Sequence, residues 1–378
     1  MKSETSLGCL IRAVPAESRE TERLVNGSRA VLVTGDQGRI ALTTVRALAA
    51  GGYDPILTVG EGRSIAAASR HCVRTVRVPQ VQAPGYAQAV HAELNSYSYL
   101  TCLAVNDEAL LKLGRPVSHL LDKQKLMLRG EAAGFGALPT RSFDSPQQFT
   151  LSAEELDYPV VIKPVMRDRR AFRLESAKEV KQTTIAEGPL LVQPFIEESI
   201  RTVGGVMWRD RMVAAVHQRW LRIWPPECGQ ASAVVTTQPD TELEERIISL
   251  LEGYEGVFHV QLVGPFLMDV HPRPYGLQTL ALAAGVNLVG IWCDLVSGKR
   301  VDTVRAPAGF FYRWLAGDLR HMRWARRERG LSLRALVSGL RPRRRTAHGT
   351  ESLRDPGPTI ARIRFHLDRA RSGQSRRK

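Results

Sequence analysis

The sequence predicts an α/β protein with more than one lobe, followed by a basic segment. Strand-like and helix-like stretches alternate through residues 27–115, which is the pattern of a parallel sheet covered by helices. Further along, short apolar runs are separated only by tight turns, as in antiparallel hairpins. With 378 residues, 43% of them hydrophobic, the chain is long enough for two or three lobes with sizeable cores.

The first lobe begins with a predicted βαβ unit. A strand at 29–34 leads through the turn Gly35-Asp36-Gln37-Gly38 into a helix at 40–50, and a strand at 55–59 follows. Such a turn at a helix N-terminus favours anion binding, although the three-glycine spacing of dinucleotide-binding proteins is missing. The alternation continues with helices and strands in turn at 64–71, 73–78, 86–94 and 99–105. Asn106-Asp107-Glu108 then occupies the strand end where open parallel sheets place ligand contacts.

The middle of the chain has a different pattern. Residues 118–134 predict one helix, and 158–164 predict a β-branched strand that ends near Lys163. A lysine at the end of an apolar strand must meet an anion or extend into solvent, so Lys163 is either a ligand contact or a surface residue. The proline within 189–196 predicts an edge strand or a linker.

The stretch Val257–Gly276 predicts a buried hairpin with a Gly264-Pro265 turn. Asp269 and His271 are two residues apart on its second strand, so both side chains point to the same face. With Gln261 on the first strand, this face carries an amide, a carboxylate and an imidazole. Either a charged ligand binds here, or Asp269 and His271 simply pair with each other on an edge hairpin.

Charge is distributed unevenly along the chain. Residues 301–378 hold 19 Arg and one Lys against six acidic residues, a net charge of +14, whereas the rest of the chain carries only +1. Within 310–345 apolar and aromatic residues recur at near-helical spacing among the arginines. This stripe predicts packing against the body of the protein, and the alternatives are an anionic membrane surface, a polyanionic acceptor or, less favoured, nucleic acid.

The sequence lacks signals for export, membrane insertion or a cysteine-based site. No secretory signal is apparent, and the most apolar run, Leu280–Val296, contains Asn287 and Asp294 and predicts a core helix. The five cysteines form no CxxC pair, so neither a zinc site nor a disulfide framework is indicated. We therefore expect a cytoplasmic protein, with the inner face of the membrane as a further location if the basic segment binds lipid.

The order of these elements resembles the ATP-grasp superfamily, in particular its carboxylate–amine ligase-like and carbamoyl-phosphate-synthase-like members. The resemblance covers about residues 28–300 and rests on several stretches in the family's order rather than on one short motif. These stretches are LLDKQKLMLRGEAAGFGALPT, PVVIKP, LLVQPFI, QRWLRIWPPECGQAS, DVHPRPYG and ALAAGVNLVGIWCDLVSG. It implies a Rossmann-like (pre-ATP-grasp) lobe at 27–115, a two-subdomain ATP-grasp domain at 116–300 and a basic helical extension at 301–378, after a polar tail at 1–26.

The resemblance also implies roles for individual residues, with ATP and Mg²⁺ or Mn²⁺ as cofactors. Residues implied to contact ATP are Lys123 and Lys163 at the phosphates, and Gln193, Pro194, Phe195 and Ile196 at the adenine. Implied metal ligands are Gln261, Asp269 and His271. Arg273 and Arg219 would face the phosphates or the substrate.

The activity implied is that of an ATP-dependent ligase. The γ-phosphoryl group of ATP would pass to a carboxylate substrate, and an amine substrate would attack the resulting acyl phosphate. Lysines, an arginine and oxygen-ligated Mg²⁺ suit this chemistry, because phosphoryl transfer depends mainly on charge neutralisation. Two alternatives stay open. One is nucleotide or partner binding without catalysis, since only Asp269 is a carboxylate among the three metal positions, and the other is nucleic-acid binding through 301–378.

Overall fold

A computed structural model describes residues 28–371, except residues 37, 63, 166–170, 186, 227 and 342. The first lobe holds a four-stranded parallel sheet with the order β3-β2-β1-β4. Its strands are β1 (Ala30–Thr34), β2 (Asp54–Val59), β3 (Arg74–Arg77) and β4 (Thr101–Ala104). Its helices are α1 (Arg39–Ala50), α2 (Tyr86–Ser96) and α3 (Asp107–Lys112). The alternation predicted from the sequence is confirmed here, with one exception.

The exception is the helix predicted at 64–71, which is wrong. The segment forms turns in the described part, and two of its polar groups bond to a tertiary partner. Ser69 Oγ and the Arg70 N–H both donate to the carboxylate of Asp355, at 2.7 and 3.0 Å. A local helix cannot compete when a buried carboxylate offers stronger, charge-assisted hydrogen bonds.

Two helices follow where the sequence predicts one. They are α4 (Ser118–Leu121) and α5 (Lys123–Ala132). Asp122 separates them because its side chain accepts from the N–H groups of Gln124 and Lys125 and so caps α5. As a result, Lys123 becomes the first residue of a helix.

The second sheet is small and antiparallel, with the order β5-β8-β6-β7 and its own apolar core around Phe149 and Ile162. Its strands are β5 (Arg141–Phe143), β6 (Val160–Pro164), β7 (Phe172–Leu174) and β8 (Leu190–Pro194), with α6 (Pro146–Leu151) and α7 (Ala177–Gln182) beside them. The edge strand or linker predicted at 189–196 is wrong, since β8 pairs on both sides. Its prolines stand at the ends of the strand, where a missing N–H interrupts no internal pairing.

The third sheet is the largest and carries the predicted hairpin. Its main strand order is β13-β12-β9-β10-β11-β15-β16, with β14 on β10. Its first strands are β9 (Ile200–Trp208), β10 (Arg211–Trp224), β11 (Gln230–Thr236), β12 (Gly256–Val263) and β13 (Phe266–His271). Helix α8 (Thr241–Leu250) connects β11 with β12, and the hairpin β12–β13 is confirmed with its turn at Gly264-Pro265.

The core helix predicted at 280–296 is two helices, α9 (Gln278–Ala283) and α10 (Leu288–Val296). Gly285 has a positive φ of 87°, and the Asn287 side chain caps α10 through the Gly290 N–H. Both helices pack on α1 of the first lobe. The stretch is buried as predicted, but the prediction of one continuous helix is wrong.

The extension predicted at 301–378 contains strands as well as the expected helices. Three strands in this region extend the large sheet: β14 (Val304–Arg305), β15 (Phe311–Arg313) and β16 (Thr346–His348). Helices α11 (Leu315–Glu328), α12 (Leu333–Leu340) and α13 (Gly357–Arg371) accompany them. Phe311, predicted within a helical stripe, is therefore a buried strand residue, whereas Met322 of the stripe is a buried residue of α11, as predicted.

Several apolar residues of the basic segment are exposed, including Leu333 and Val337 of α12 and Ile363 and Leu367 of α13. The membrane, acceptor or nucleic-acid partners expected for 301–378 stay predictions. Among the described helices, none combines the length and apolar character that crossing a bilayer would need. Arg376, Arg377 and Lys378, which contribute to the net charge of 301–378, lie outside the described part of the chain.

Candidate functional site

A row of polar side chains crosses the large sheet on one face. Asp269, Gln261, Thr202 and Gln218 are successive cross-strand neighbours on β13, β12, β9 and β10. Paired residues point to the same face of a sheet, so these four side chains form one line. Within it, Thr202 Oγ1 donates to Gln218 Oε1 at 3.0 Å. The predicted shared face of Gln261, Asp269 and His271 therefore extends two strands further than the hairpin.

Lys123 lies against the carboxylate of this row. Its Nζ is 3.6 Å from Asp269 Oδ2, and both side chains are largely buried, with exposures of 11% and 15%. The Lys123 N–H also points to the carbonyl of Val165, two residues beyond Lys163, at 3.5 Å. The start of α5 therefore lies next to two other predicted site regions, the end of β6 and the hairpin.

His271 is part of a hydrogen-bonded and stacked cluster. Its Nε2 lies 3.1 Å from Gln261 Nε2, and its Nδ1 lies 3.4 Å from Arg273 Nη2. Gln261 Nε2 is also 3.4 Å from His259 Nδ1. The His259 ring stacks between the rings of His271 and Tyr275, with centroid distances of 5.6 and 4.1 Å. Both nitrogens of His271 thus face groups of the protein itself.

Tyr275 reaches this cluster because Gly204 leaves room for it. A Cβ built on Gly204 would lie 1.9 Å from the Tyr275 hydroxyl oxygen, so any other residue would displace the ring. The hydroxyl lies 3.4 Å from Gln218 Nε2. Full burial raises the pKa of Tyr275 far above its usual value, which keeps the phenol protonated.

Arg273 pairs with the first lobe. Its Nε donates to Asp107 Oδ1 at 2.5 Å and its Nη2 approaches Asp107 Oδ2 at 3.4 Å, and both residues are buried. The same guanidinium donates to the carbonyl of Pro274. Most of its N–H groups are therefore occupied by protein acceptors, and the residue fixes the end of β13 to the start of α3.

The three positions implied as metal ligands do not fit Mg²⁺. Mg²⁺ requires near-octahedral oxygen ligation and takes imidazole poorly. Here Gln261 and His271 contact each other, and Asp269, the one carboxylate of the three, faces the Lys123 ammonium. Across the described residues, no group of three or more His, Cys, Asp or Glu side chains could hold a metal ion.

Lys163 and the segment Gln193–Ile196 occupy the small sheet. Lys163 is half-buried and pairs through its backbone with Leu191 of β8. The Gln193 side chain is buried and donates to Thr140 Oγ1 at 2.8 Å, while the Phe195 N–H donates to the carbonyl of Pro159. This places the four residues from Gln193 to Ile196 at one end of the sheet that carries Lys163. Residues 166–170, which follow soon after Lys163 and include three arginines, lie outside the described residues.

Arg219 is the predicted site residue that the structure keeps apart from the others. It follows Gln218 directly, so its side chain points to the opposite face of the sheet. There it is exposed, opposite Arg201, whose guanidinium pairs with Asp240 at 3.6 Å. The motif alone could not show this, because the face depends on the register of β10 within the sheet.

A separate cavity of about 330 Å³ lies at the carboxyl ends of β1, β2 and β3. Asp36, Glu61, Thr58, Tyr86 and Asn106 are among its lining residues. The predicted anion-binding turn has a different arrangement here, because Asp36 Oδ1 itself accepts from the Gly38 N–H at 3.1 Å. Burial raises the pKa of Asp36, against the opposing effect of hydrogen bonds from Ser64 and Gly38. The turn thus presents a carboxylate to the cavity.

The sequence did not reveal three parts of the cluster. These are His259, the ring of Tyr275 that stacks on His259, and Asp107 as the partner of Arg273. His259 had a signal, since it is two residues before Gln261 and so shares its face. Asp107 had only the general signal of a strand end in a parallel sheet. Its pairing with a residue 166 positions away depends on how the lobes pack.

No family model matches the sequence. Among curated proteins, the chain is 25% identical over 232 residues to a formate-dependent phosphoribosylglycinamide formyltransferase from Mannheimia haemolytica. The match covers 54% of each protein, so the chain spans about half the length of the curated relative that it matches.

Solved structures resemble the chain over a larger share of its length. Carboxyaminoimidazole ribonucleotide synthase from Aspergillus clavatus, complexed with ATP, is 14% identical, with a TM-score of 0.59 over 75% of this chain and 80% of that chain. The L-amino acid ligase from Bacillus licheniformis is 13% identical, with a TM-score of 0.53 over 71% and 74%. The biotin carboxylase from Campylobacter jejuni is 14% identical, with a TM-score of 0.56 over 73% and 72%. These likenesses show that the chain has the ATP-grasp fold, which the resemblance in its sequence predicted.

Proposed function

We propose that the protein is an ATP-dependent ligase that joins a carboxylate substrate to an amine substrate. The observation that carries the proposal is the ion pair between the largely buried side chains of Lys123 and Asp269. This pair lies beside the end of the strand that bears Lys163. Two lysines in such a place suit the phosphates of a nucleotide, because ammonium groups neutralise phosphate charge. The similar structures include several solved with ATP or ADP, which supports ATP as the nucleotide.

The proposed reaction has two steps. A carboxylate oxygen of the substrate attacks the γ-phosphorus of ATP, the bond to the β–γ bridging oxygen breaks, and ADP leaves. The amine nitrogen then attacks the acyl carbon, a C–N bond forms and phosphate leaves with the acyl oxygen. Lys123 and Lys163 neutralise phosphate charge during the first step, which is the main requirement of phosphoryl transfer. Gln193 to Ile196 contact the adenine.

Arg273 acts in this proposal as a positioning residue. Its pairing with Asp107 holds the end of the hairpin against the first lobe, and its contact with His271 orients that ring. Arg219 has no assigned step, because it lies on the other face of the sheet. No step is assigned to Mg²⁺ or Mn²⁺ either, because the residues at the three predicted metal positions do not fit such an ion.

The cavity at the carboxyl ends of β1 to β3 takes the amine substrate in this proposal. Asp36 and Glu61 line it, and carboxylates attract a protonated amine. The cavity lies near the site along the chain, since Asn106 lines it and the next residue, Asp107, pairs with Arg273.

ADP and phosphate release from ATP, measured with a panel of carboxylates and amines, tests the proposal. We expect release to require one carboxylate and one amine together, and to fall at least about tenfold in Lys163→Ala and Asp269→Ala. The exposed variant Lys178→Ala, on α7 next to the same small sheet, serves as the control. Unchanged turnover in both site variants would show that the proposed site is wrong.

A second candidate is nucleotide binding without catalysis. The observation that favours it is the hydrogen-bonded cluster of Gln261 and His271, which fills positions where a ligase of this fold is expected to hold metal. Tight ADP binding, together with no product formation from any substrate pair, would support this candidate over the ligase.

A further inference from the structure

The candidate nucleotide site is arranged around protein cations. Asp269 contributes the one carboxylate of the three hairpin positions, and the Lys123 ammonium lies 3.6 Å from it. Gln261 and His271 are neutral or cationic groups, so a divalent ion beside Asp269 would meet the Lys123 ammonium with little negative charge to offset the repulsion.

The position of His271 is closed by its own contacts, and Gln261 turns its Nε2 toward that ring. Both ring nitrogens of His271 face Gln261 and Arg273, and its ring stacks on His259. Freeing His271 for a metal would break these contacts and would leave the Arg273 guanidinium, which is already buried, with one acceptor fewer. The cluster therefore stabilises an arrangement without a metal on the hairpin.

Lys123 lies where its ammonium group can neutralise phosphate charge in place of a metal ion. It is the first residue of α5, at the positive end of the helix dipole, which the Asp122 carboxylate caps. Its backbone approaches the end of β6 near Lys163. A phosphate between the two lysines would replace Asp269 as a partner of Lys123 or share it.

We propose that this protein binds the nucleotide phosphates directly through Lys123 and Lys163, without a metal ion bridging them to the β12–β13 hairpin. The proposal rests on the nucleotide site of the proposed function. It concerns the groups that bind the phosphates, whereas the proposed function concerns the reaction that follows binding.

The test is a calorimetric titration of the full-length protein with ADP, in excess EDTA and in excess MgCl₂. We expect affinities within about threefold of each other in the two media. Lys123→Met should lose about tenfold or more in both media, which is the usual consequence of losing a hydrogen bond to a charged group. Lys125→Met is the matched control, because Lys125 is an exposed lysine on the same helix.

A gain-of-metal variant makes the test sharper. Gln261→Glu/His271→Asn gives the hairpin two carboxylates and an amide oxygen at the three positions, and we expect its ADP affinity to rise about tenfold or more with MgCl₂ over EDTA. The free Mn²⁺ signal in electron paramagnetic resonance, recorded with ADP present, should fall for this variant more than for the wild type. Circular dichroism confirms that each variant is folded.

The outcomes separate the two proposals. ADP binding by the wild type that is more than about tenfold weaker in EDTA would overturn the metal-free site and leave the ligase proposal standing. Absence of ADP binding by the folded wild type in both media would overturn the nucleotide site and both proposals with it. Equal binding in both media, lost in Lys123→Met or converted to metal dependence in the double variant, supports direct phosphate binding.

Discussion

Arg273 and Asp107 form a buried ion pair between the end of the hairpin and the start of α3, although 166 residues separate them in the chain. The pair connects the large sheet to the first lobe and lies next to His271 on one side and to the cavity-lining Asn106 on the other. The pair is therefore one of the contacts that connect the candidate phosphate site with the region of the candidate substrate cavity.

Asp107→Ala should destabilise the protein strongly, because it leaves the Arg273 guanidinium buried without its carboxylate. We expect a loss of about 3–5 kcal/mol in the free energy of unfolding, measured by urea denaturation. Glu108→Ala, next to it on the exposed side of α3, should change stability by no more than about 0.5 kcal/mol. Equal effects of the two variants would mean that the pair has no structural role.

Gly204→Ala should displace Tyr275 from the polar cluster, since the new Cβ would overlap the phenol ring. Overpacking of this kind costs about 1–3 kcal/mol, which thermal unfolding would report as a lower Tm. Gly276→Ala is the control, because its nearest neighbour would be 3.9 Å away, in ordinary contact. A normal Tm for Gly204→Ala would indicate that Tyr275 does not occupy the position described.

Asp318→Asn tests how the basic segment is joined to the sheet. This carboxylate is fully buried and pairs with both Arg222 of β10 and Arg313 of β15, at 2.5 and 2.9 Å. Removing its charge leaves two arginines without compensation, so we expect a loss of about 3–5 kcal/mol in unfolding free energy. Glu328→Gln, exposed at the far end of α11, should have little effect. If Asp318→Asn is as stable as the wild type, the segment is attached by other contacts.

The contribution of Asp355 to stability should depend on pH. Burial alone would raise the pKa of this carboxyl, but hydrogen bonds from Ser69, Arg70 and Arg46 outweigh it and hold the pKa below its usual 3.8. A carboxyl with a depressed pKa stabilises the fold above its unfolded-state pKa, and this stabilisation is lost as pH falls through the folded-state value.

Asp355→Asn should therefore be less stable than the wild type near neutral pH, by about 1.5–3 kcal/mol. The difference should shrink as the pH falls below 3.8 and the wild-type carboxyl becomes protonated. Urea denaturation across this range, with the exposed Asp302→Asn as control, measures it. A difference that does not change with pH would contradict an ionised Asp355.

The sequence by itself determined the α/β fold class, most of the strands and the polar face of the hairpin. Apolar periodicity and turn residues are local, so β1, β12 and β13 could be located without any knowledge of their neighbours. Alternation along β13 likewise sufficed to place Asp269 and His271 on one face. Where hydrogen bonding is decided by a residue far along the chain, this reasoning failed, as with the predicted helix at 64–71 that bonds to Asp355 instead.

Only the tertiary structure decided which charged groups meet. The face of Arg219, the pairing of Arg273 with Asp107, and the position of Lys123 beside Asp269 all depend on strand register and on the packing of the lobes. The same holds for the basic segment, whose strands complete the large sheet because β10 and β11 offer unpaired backbone groups to them. Long-range contacts of this kind have no local signature, since they satisfy buried charges and backbone groups with partners from other parts of the chain.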